Sequence, residues 1–327
     1  MSETNLKRLK IMSDVDVSKM LGDCVSLRPD DLIIDDLRWK YLIRSVLRGK
    51  NVMMVGPARS GKTKAAQAVA KALNREDKFF VFNIGSTQDA RSSLVGNTFF
   101  KKDKGGTIFN PSPFVVAIQT PGAIILLDEL SRGHHDAWNI LLPTLDPTQR
   151  TLRLDEADEN AFIKVADGVT FIATANIGNE YTATRQMDKA LTLRFPTIIE
   201  MQLLNIEQEM SLLNVIYPDS SKETQLLYEK ICQIAIHTRM QTNKVDSRLD
   251  TFIPTGTVVE CADLVNDGFN LLEIAEMVIY PVYSDEGGIE SQRTYVKQLV
   301  QKYIDIDTPK DEDLNVSIDS ETEEVPF

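Results

Sequence analysis

The sequence predicts an α/β fold: a parallel sheet covered by helices on both faces, followed by a smaller all-helical domain. Three observations carry that reading. A short apolar run, residues 51–55, ends at Gly56 and leads through Pro57, Ala58, Arg59, Ser60, Gly61, Lys62 and Thr63 into a segment with Ala66, Val69, Ala70 and Leu73 at helical spacing. Further strand-sized apolar runs alternate with helical stretches as far as residue 203, and such alternation builds parallel sheets buried on both sides. Beyond that point segments 206–217, 222–240, 257–268, 271–280 and 290–303 all read as helices.

The elements follow in order. Residues 1–30 are polar with little periodicity and receive no assignment. Leu37, Tyr41, Leu42, Val46 and Leu47 suggest an amphipathic helix over 35–48, leading into the first strand. Residues 79–84 form an apolar, aromatic strand candidate. Near 99–109, two short apolar arms flank a charged Gly105-Gly106 turn and read as a hairpin. A helix over 113–119 is broken by Pro121-Gly122, and 123–128 is the second core strand. Residues 134–145 place Trp138, Leu141, Leu142 and Leu145 on one helical side; His134 and His135 open that helix. A second hairpin has arms 151–154 and 161–165, and strands at 169–174 and 197–201 complete the set. The expected organisation is an N-terminal segment (1–30), an α/β domain (31–203), a helical domain (204–304) and an acidic tail (305–327), the tail too polar to bury a core.

The loop between the first strand and its helix has its own chemistry. Gly56 and Gly61 let the backbone curl so that successive N–H groups face a polyphosphate, and the positive end of the following helix faces the same anion. Gly56-x4-Gly61-Lys62-Thr63 fits the phosphate-loop pattern without a mismatch. Lys62 is suited to the β- and γ-phosphates and the Thr63 hydroxyl to Mg²⁺. A nucleoside triphosphate is therefore expected on residues 56–63. Two further strands end in polar side chains. Residues 124–127 lead into Asp128 and Glu129, 66 residues after Lys62; Asp128 is placed to hold Mg²⁺ through water and Glu129 to polarise the attacking water. Residues 171–175 lead into Asn176, which either orients that water or touches the γ-phosphate, because ligands of such sheets bind at the carboxyl ends of strands.

Bulk properties exclude some classes. The net charge of −12 is concentrated in 305–327, where nine acids and one lysine give −8. The basic surplus of a non-specific DNA-binding chain is missing. No run approaches the ~18–20 apolar residues of a membrane helix, and residues 1–20 hold no signal-peptide core. Cys24, Cys232 and Cys261 are odd in number and widely spaced, neither a disulfide framework nor a zinc set, and imply a reducing, cytoplasmic setting. Asn243-Lys244-Val245-Asp246 fits a guanine-recognition pattern but lies in the helical part, where it reads as a chance match.

The three strand endings, in this order, resemble the Walker A, Walker B and sensor 1 elements of an AAA+ ATPase. Asp128-Glu129-Leu130-Ser131-Arg132-Gly133, Asn139-Ile140-Leu141-Leu142-Pro143-Thr144-Leu145-Asp146 and the stretches 175–184 and 187–195 are similar to the MoxR-type branch, which includes the cobaltochelatase small subunit and the ATPases that activate rubisco and nitric oxide reductase. The two hairpins stand where that branch carries its insertions. The resemblance implies a P-loop AAA+ core with a five-stranded parallel sheet in the order 5-1-4-3-2 and an all-α lid. It implies ATP and Mg²⁺ as cofactors, held by residues 56–63 and Asp128, with Thr63 and Asp128 toward the metal. Arg194 matches the family's arginine finger, which completes the catalytic set of Glu129 and Asn176 from a neighbouring subunit and so requires a homo-oligomeric ring, hexameric in the family. The family's sensor 2 arginine is replaced by Gly256, with Arg248 as a candidate substitute.

The expected function is an ATPase that remodels, activates or assembles a protein client, with a von Willebrand A domain protein as a possible partner class and no membrane. A DNA-dependent motor is the alternative, with Lys101, Lys102 and Lys104 at the hairpin tip as its DNA contact. A nucleotide-binding scaffold with weak hydrolysis is the third reading.

Overall fold

The computed structural model describes residues 14–101, 106–154, 162–176, 187–242, 244 and 247–305. The lysines at 102 and 104, the guanine-like motif apart from Lys244, stretch 177–184 and all but the first residue of the acidic tail lie outside them. By their contacts the residues divide into two compact units, Met1–Ser221 with Pro254–Glu260, and Lys222–Ile253 with Cys261–Phe327.

Among its described residues the first unit starts with α1 (Asp14–Asp23) and a short 3-10 turn, Cys24–Leu27, in the stretch that had no assignment. Its anchor is Trp39, fully buried, whose Nε1 donates to the Cys24 carbonyl at 2.7 Å. Helix α2 (Asp36–Leu47) starts where the Asp35 carboxylate accepts the Arg38 N–H at 2.9 Å. Then come β1 (Val52–Val55), α3 (Lys62–Ala72) and β2 (Phe79–Asn83). After α4 (Ala90–Leu94), β3 (Gly96–Lys101) and β4 (Gly106–Pro111) pair antiparallel as the first hairpin. Helix α5 (Pro113–Ile118) is capped by Ser112, with Pro113 in its first turn, where a missing N–H costs nothing. It leads to β5 (Ile124–Asp128) and α6 (His135–Leu145). The second hairpin, β6 (Thr151–Arg153) with β7 (Phe162–Lys164), precedes β8 (Thr170–Ala175), the single turn α7 (Lys189–Thr192), β9 (Thr197–Glu200) and α8 (Ile206–Ile216).

The central sheet runs β2-β5-β8-β1-β9, all parallel. Numbered by core strand alone and read from the β9 edge, this is the order 5-1-4-3-2. Strands β1, β5 and β8 are buried along nearly their whole length, which is why they read as continuous apolar runs rather than alternating ones. Alternation nevertheless sorts their side chains. Val52, Met54, Ile124, Leu126 and Ile172 pack with Trp39, Leu42, Ala66 and Val69 on one face; Met53, Val55, Ile125, Leu127 and Phe171 pack with Phe114, Trp138 and Leu141 on the other.

Among its described residues the second unit is built of helices and connecting loops, with no strand. It contains α9 (Lys222–Thr242), the later turns of α10 (Thr255–Asn266), α11 (Leu271–Ile274), which runs on into a π-helical turn at Ala275–Ile279, and α12 (Gln292–Asp305). Helix α8, expected in the helical domain, is counted with the first unit, as are Pro254–Glu260. The three cysteines are buried and form no disulfide. Among the described residues no helix is long and apolar enough to cross a membrane.

Candidate active site

The loop between β1 and α3 is held open by its own backbone. Gly56 has φ +146°, and a Cβ there would stand 2.2 Å from the Met201 carbonyl oxygen. No side chain fits that gap. The loop is pinned on both sides: the Gly56 N–H donates to Ala175 O at 3.2 Å, and the Met201 N–H to Val55 O at 2.7 Å. Gly61, at φ +87°, turns the chain into the first residue of α3. Arg59 adopts φ +56°, a left-handed conformation unusual for a residue with a side chain.

Lys62 is 7% exposed. Its ammonium donates to Gly56 O at 3.0 Å, to Pro57 O and to Ser60 Oγ at 3.5 Å, so it folds back along the loop. Burial pulls its pKa down from 10.5 to about 8, against the opposing pull of the Asp128 and Glu129 carboxylates. An anion in the loop would restore the charged form.

Asp128 and Glu129 stand at the end of β5, joined to β8 by a residue the sequence reading passed over. The Thr174 hydroxyl donates to Asp128 Oδ1 and accepts the Glu129 N–H at 3.0 Å. Register explains the meeting, since Leu127 pairs with Ala173 and the next residue of each strand stands side by side. Glu129 itself has φ +54°. Its carboxylate lies against Arg132 Nη1, at 3.3 and 3.4 Å, on the surface side. Gly85 makes room for it, because a Cβ at 85 would come within 2.7 Å of Glu129 Oε2 and 2.9 Å of its Cβ.

A cleft of about 620 Å³ collects these groups. Ala58, Arg59, Ser60, Gly61, Lys62 and Thr63 line it with Asp128, Glu129, Thr174 and Asn176. Gly56 and Pro57 join through the carbonyls that hold Lys62. The remaining wall includes Leu32, Ile33, Leu204, Leu212, Ile216 and Val259, an apolar end suited to the flat face of a nucleobase. Sequence reading missed these too; the short run 32–34 just before α2 was the only signal. The Thr63 hydroxyl and the Asp128 carboxylate line the same cleft, and hard oxygen donors of this kind suit Mg²⁺.

Arg194 is not brought to this cleft. Its Nη2 pairs with Asp146 Oδ2 at 3.0 Å, its carbonyl accepts from Asn51 Nδ2 at 2.9 Å, and its Nε is buried without a partner. The Asp146 carboxyl is held below its ordinary pKa, first by the Thr148 hydroxyl and N–H and with a smaller contribution from Arg194. Arg248, in the second unit, is exposed.

Comparison with known proteins agrees with this architecture. Residues 51–195 match the model of the AAA domain, dynein-related subfamily. A mitochondrial Lon protease homolog of Dictyostelium discoideum is 30% identical over 207 residues, 59% of this chain and 20% of that protein. BssE of Thauera aromatica, named as a candidate chaperone, is 32% identical over 162 residues, 49% of this chain and 54% of that protein. The chain thus spans a fifth of the length of the first relative and about half of the second. The closed-state cryo-EM reconstruction of Hsp104 with ATPγS and FITC casein is similar at a TM-score of 0.49 and 16% identity, over 66% of this chain and 41% of that one. The fold is a five-stranded parallel sheet flanked by helices, and the segment 51–195 that is similar to the AAA domain model carries the phosphate loop, both strand-end acids, Asn176 and Arg194.

Proposed function

We propose that this chain hydrolyses ATP and uses the cycle to remodel, activate or assemble a protein client, as a MoxR-type AAA+ protein working in a homo-oligomeric ring. The observation that supports it most is the meeting of Lys62, Thr63, Asp128, Glu129 and Asn176 in one cleft with an apolar end. The loop amides and Lys62 bind the phosphates. Thr63 and Asp128 would hold Mg²⁺, which when bound would supply positive charge to neutralise the phosphates. Glu129 leaves Arg132 and takes a proton from the attacking water, and Asn176 orients that water. Thr174 fixes the directions of Asp128 and of the Glu129 backbone. Arg194 exchanges Asp146 for the γ-phosphoryl group of an adjoining copy, where an added arginine is worth about 10³–10⁵ in rate. The client class extends to a von Willebrand A domain protein, to be sought by pull-down with a nucleotide-trapped variant.

Phosphate release by the purified chain over a range of protein concentration tests this reading. Specific activity should rise with concentration as copies assemble. Lys62→Ala should lose ATP binding, Glu129→Gln should bind ATP without turning it over, and Arg194→Ala should bind but not hydrolyse. Full turnover in Glu129→Gln, or binding unchanged in Lys62→Ala, overturns the assignment of the cleft. Full turnover in Arg194→Ala overturns catalysis between neighbours alone.

A further inference from the structure

Three cations line the cleft, Arg59, Lys62 and Lys64, and two of them are occupied. Lys64 pairs with Asp31 Oδ2 at 2.9 Å, and Lys62 is folded onto the carbonyls of its own loop. Arg59 differs. Among the described residues no carboxylate pairs with its guanidinium, whose Nη1 donates to the Thr257 hydroxyl at 3.1 Å. Thr257 stands in the first turns of α10, within the stretch Pro254–Glu260 that belongs to the same unit as the phosphate loop.

Two backbone facts show that the arginine is accommodated for its side chain. Arg59 occupies φ +56°, where glycine would sit without strain. Opposite it, Gly256 lacks the atom that would crowd it: a Cβ at 256 would lie 3.1 Å from Arg59 Cδ and 3.5 Å from its Cβ. Gly256 itself has no positive φ to explain it, and it opens onto the same cleft. The space above Gly256 is therefore filled by the stem of Arg59.

We propose that Arg59 is a phosphate-binding side chain, a second cation beside Lys62 that exchanges the Thr257 hydroxyl for a phosphate oxygen of the bound nucleotide, and that Gly256 is the position that makes room for it. This rests on the reading of the cleft as a nucleotide site. A guanidinium presents its donors in a planar fork, matched to phosphate oxygens, and has no proton to lose in the working range. By letting go of Thr257 as it takes phosphate, it also makes the contact between loop and α10 depend on occupancy.

The test is titration of the full-length chain with Mg·ATP and Mg·ADP by calorimetry, alongside thermal unfolding. Arg59→Gly relieves the left-handed residue, so the fold should be kept or strengthened, while nucleotide affinity should fall about tenfold or more. Arg59→Lys should recover only part of that loss. Gly256→Ala should weaken binding several-fold in the natural background and have no further effect in Arg59→Gly, because the methyl group acts only by displacing the arginine. Equal affinities in Arg59→Gly and the natural chain, or equal effects of Gly256→Ala in both backgrounds, overturn the proposal. Failure of the underlying reading looks different: the natural chain and Lys62→Ala would then bind nucleotide equally, or not at all.

Discussion

Raising the pH from 7.5 to 9.5 should weaken ATP binding by about twentyfold, near 2 kcal/mol, through Lys62 alone. Burial holds this ammonium at about 8 instead of 10.5 in the free cleft. A triphosphate beside it returns the value to the ordinary lysine range, so above pH 8 each binding event must take up a proton. The free site is about three-quarters protonated at pH 7.5 and about 3% protonated at 9.5, whereas the bound site stays charged at both. Calorimetric titration in two buffers of different ionisation enthalpy reads both the affinity and the proton uptake. Lys62→Met should bind weakly and without this pH slope. Stability of the free protein should move the opposite way. The burial cost is fully present below pH 8 and is relieved between 8 and about 10.5, where the unfolded chain holds the proton more tightly, for a gain of at most about 3–4 kcal/mol. Equal dissociation constants at pH 7.5 and 9.5, with no proton taken up, would refute the reasoning.

Other consequences are as specific. Thr174→Val removes the hydroxyl that joins Asp128 to the Glu129 N–H; hydrolysis should fall about ten- to hundredfold and stability by about 1–3 kcal/mol, read by phosphate release and denaturant unfolding. Gly85→Ala pushes against Glu129 and should slow turnover while ATP titration shows binding intact. Arg132→Ala frees the Glu129 carboxylate from a half-exposed pair, so basal hydrolysis should rise by at most about fivefold in a single-turnover assay. Asp146→Ala leaves Arg194, already carrying an orphaned Nε, without its charged partner; unfolding should become easier by about 1–3 kcal/mol.

The core was legible because its signals are local. Strands β1, β5 and β8 are apolar without interruption, and Gly56-x4-Gly61-Lys62-Thr63 is a backbone requirement written directly into residue types. Both hairpins were visible for the same reason. What escaped depends on contacts between distant segments. Helix α1 holds two valines and three aspartates in ten residues, weak helix formers that tertiary packing overrides. Thr174 looked like any strand threonine until register set it beside Asp128. Gly85 and Arg132 acquire meaning only from the direction of the Glu129 side chain, and the Arg194–Asp146 pair joins residues 48 apart in the chain. The apolar wall of Leu212 and Ile216 comes from a helix whose periodicity says nothing of which side faces a ligand.

The contact between Gly56 and the Met201 carbonyl ties the mouth of the phosphate loop to an edge strand that contributes no chemistry of its own. Strand β9 therefore works as a jig: its backbone gauges the curl of the loop, and the chain then runs on into α8, whose Leu212 and Ile216 wall the far end. Drift at β9 that shifts this backbone would be felt as lost nucleotide affinity, so tolerance to substitution along that edge should track carbonyl position rather than side-chain identity.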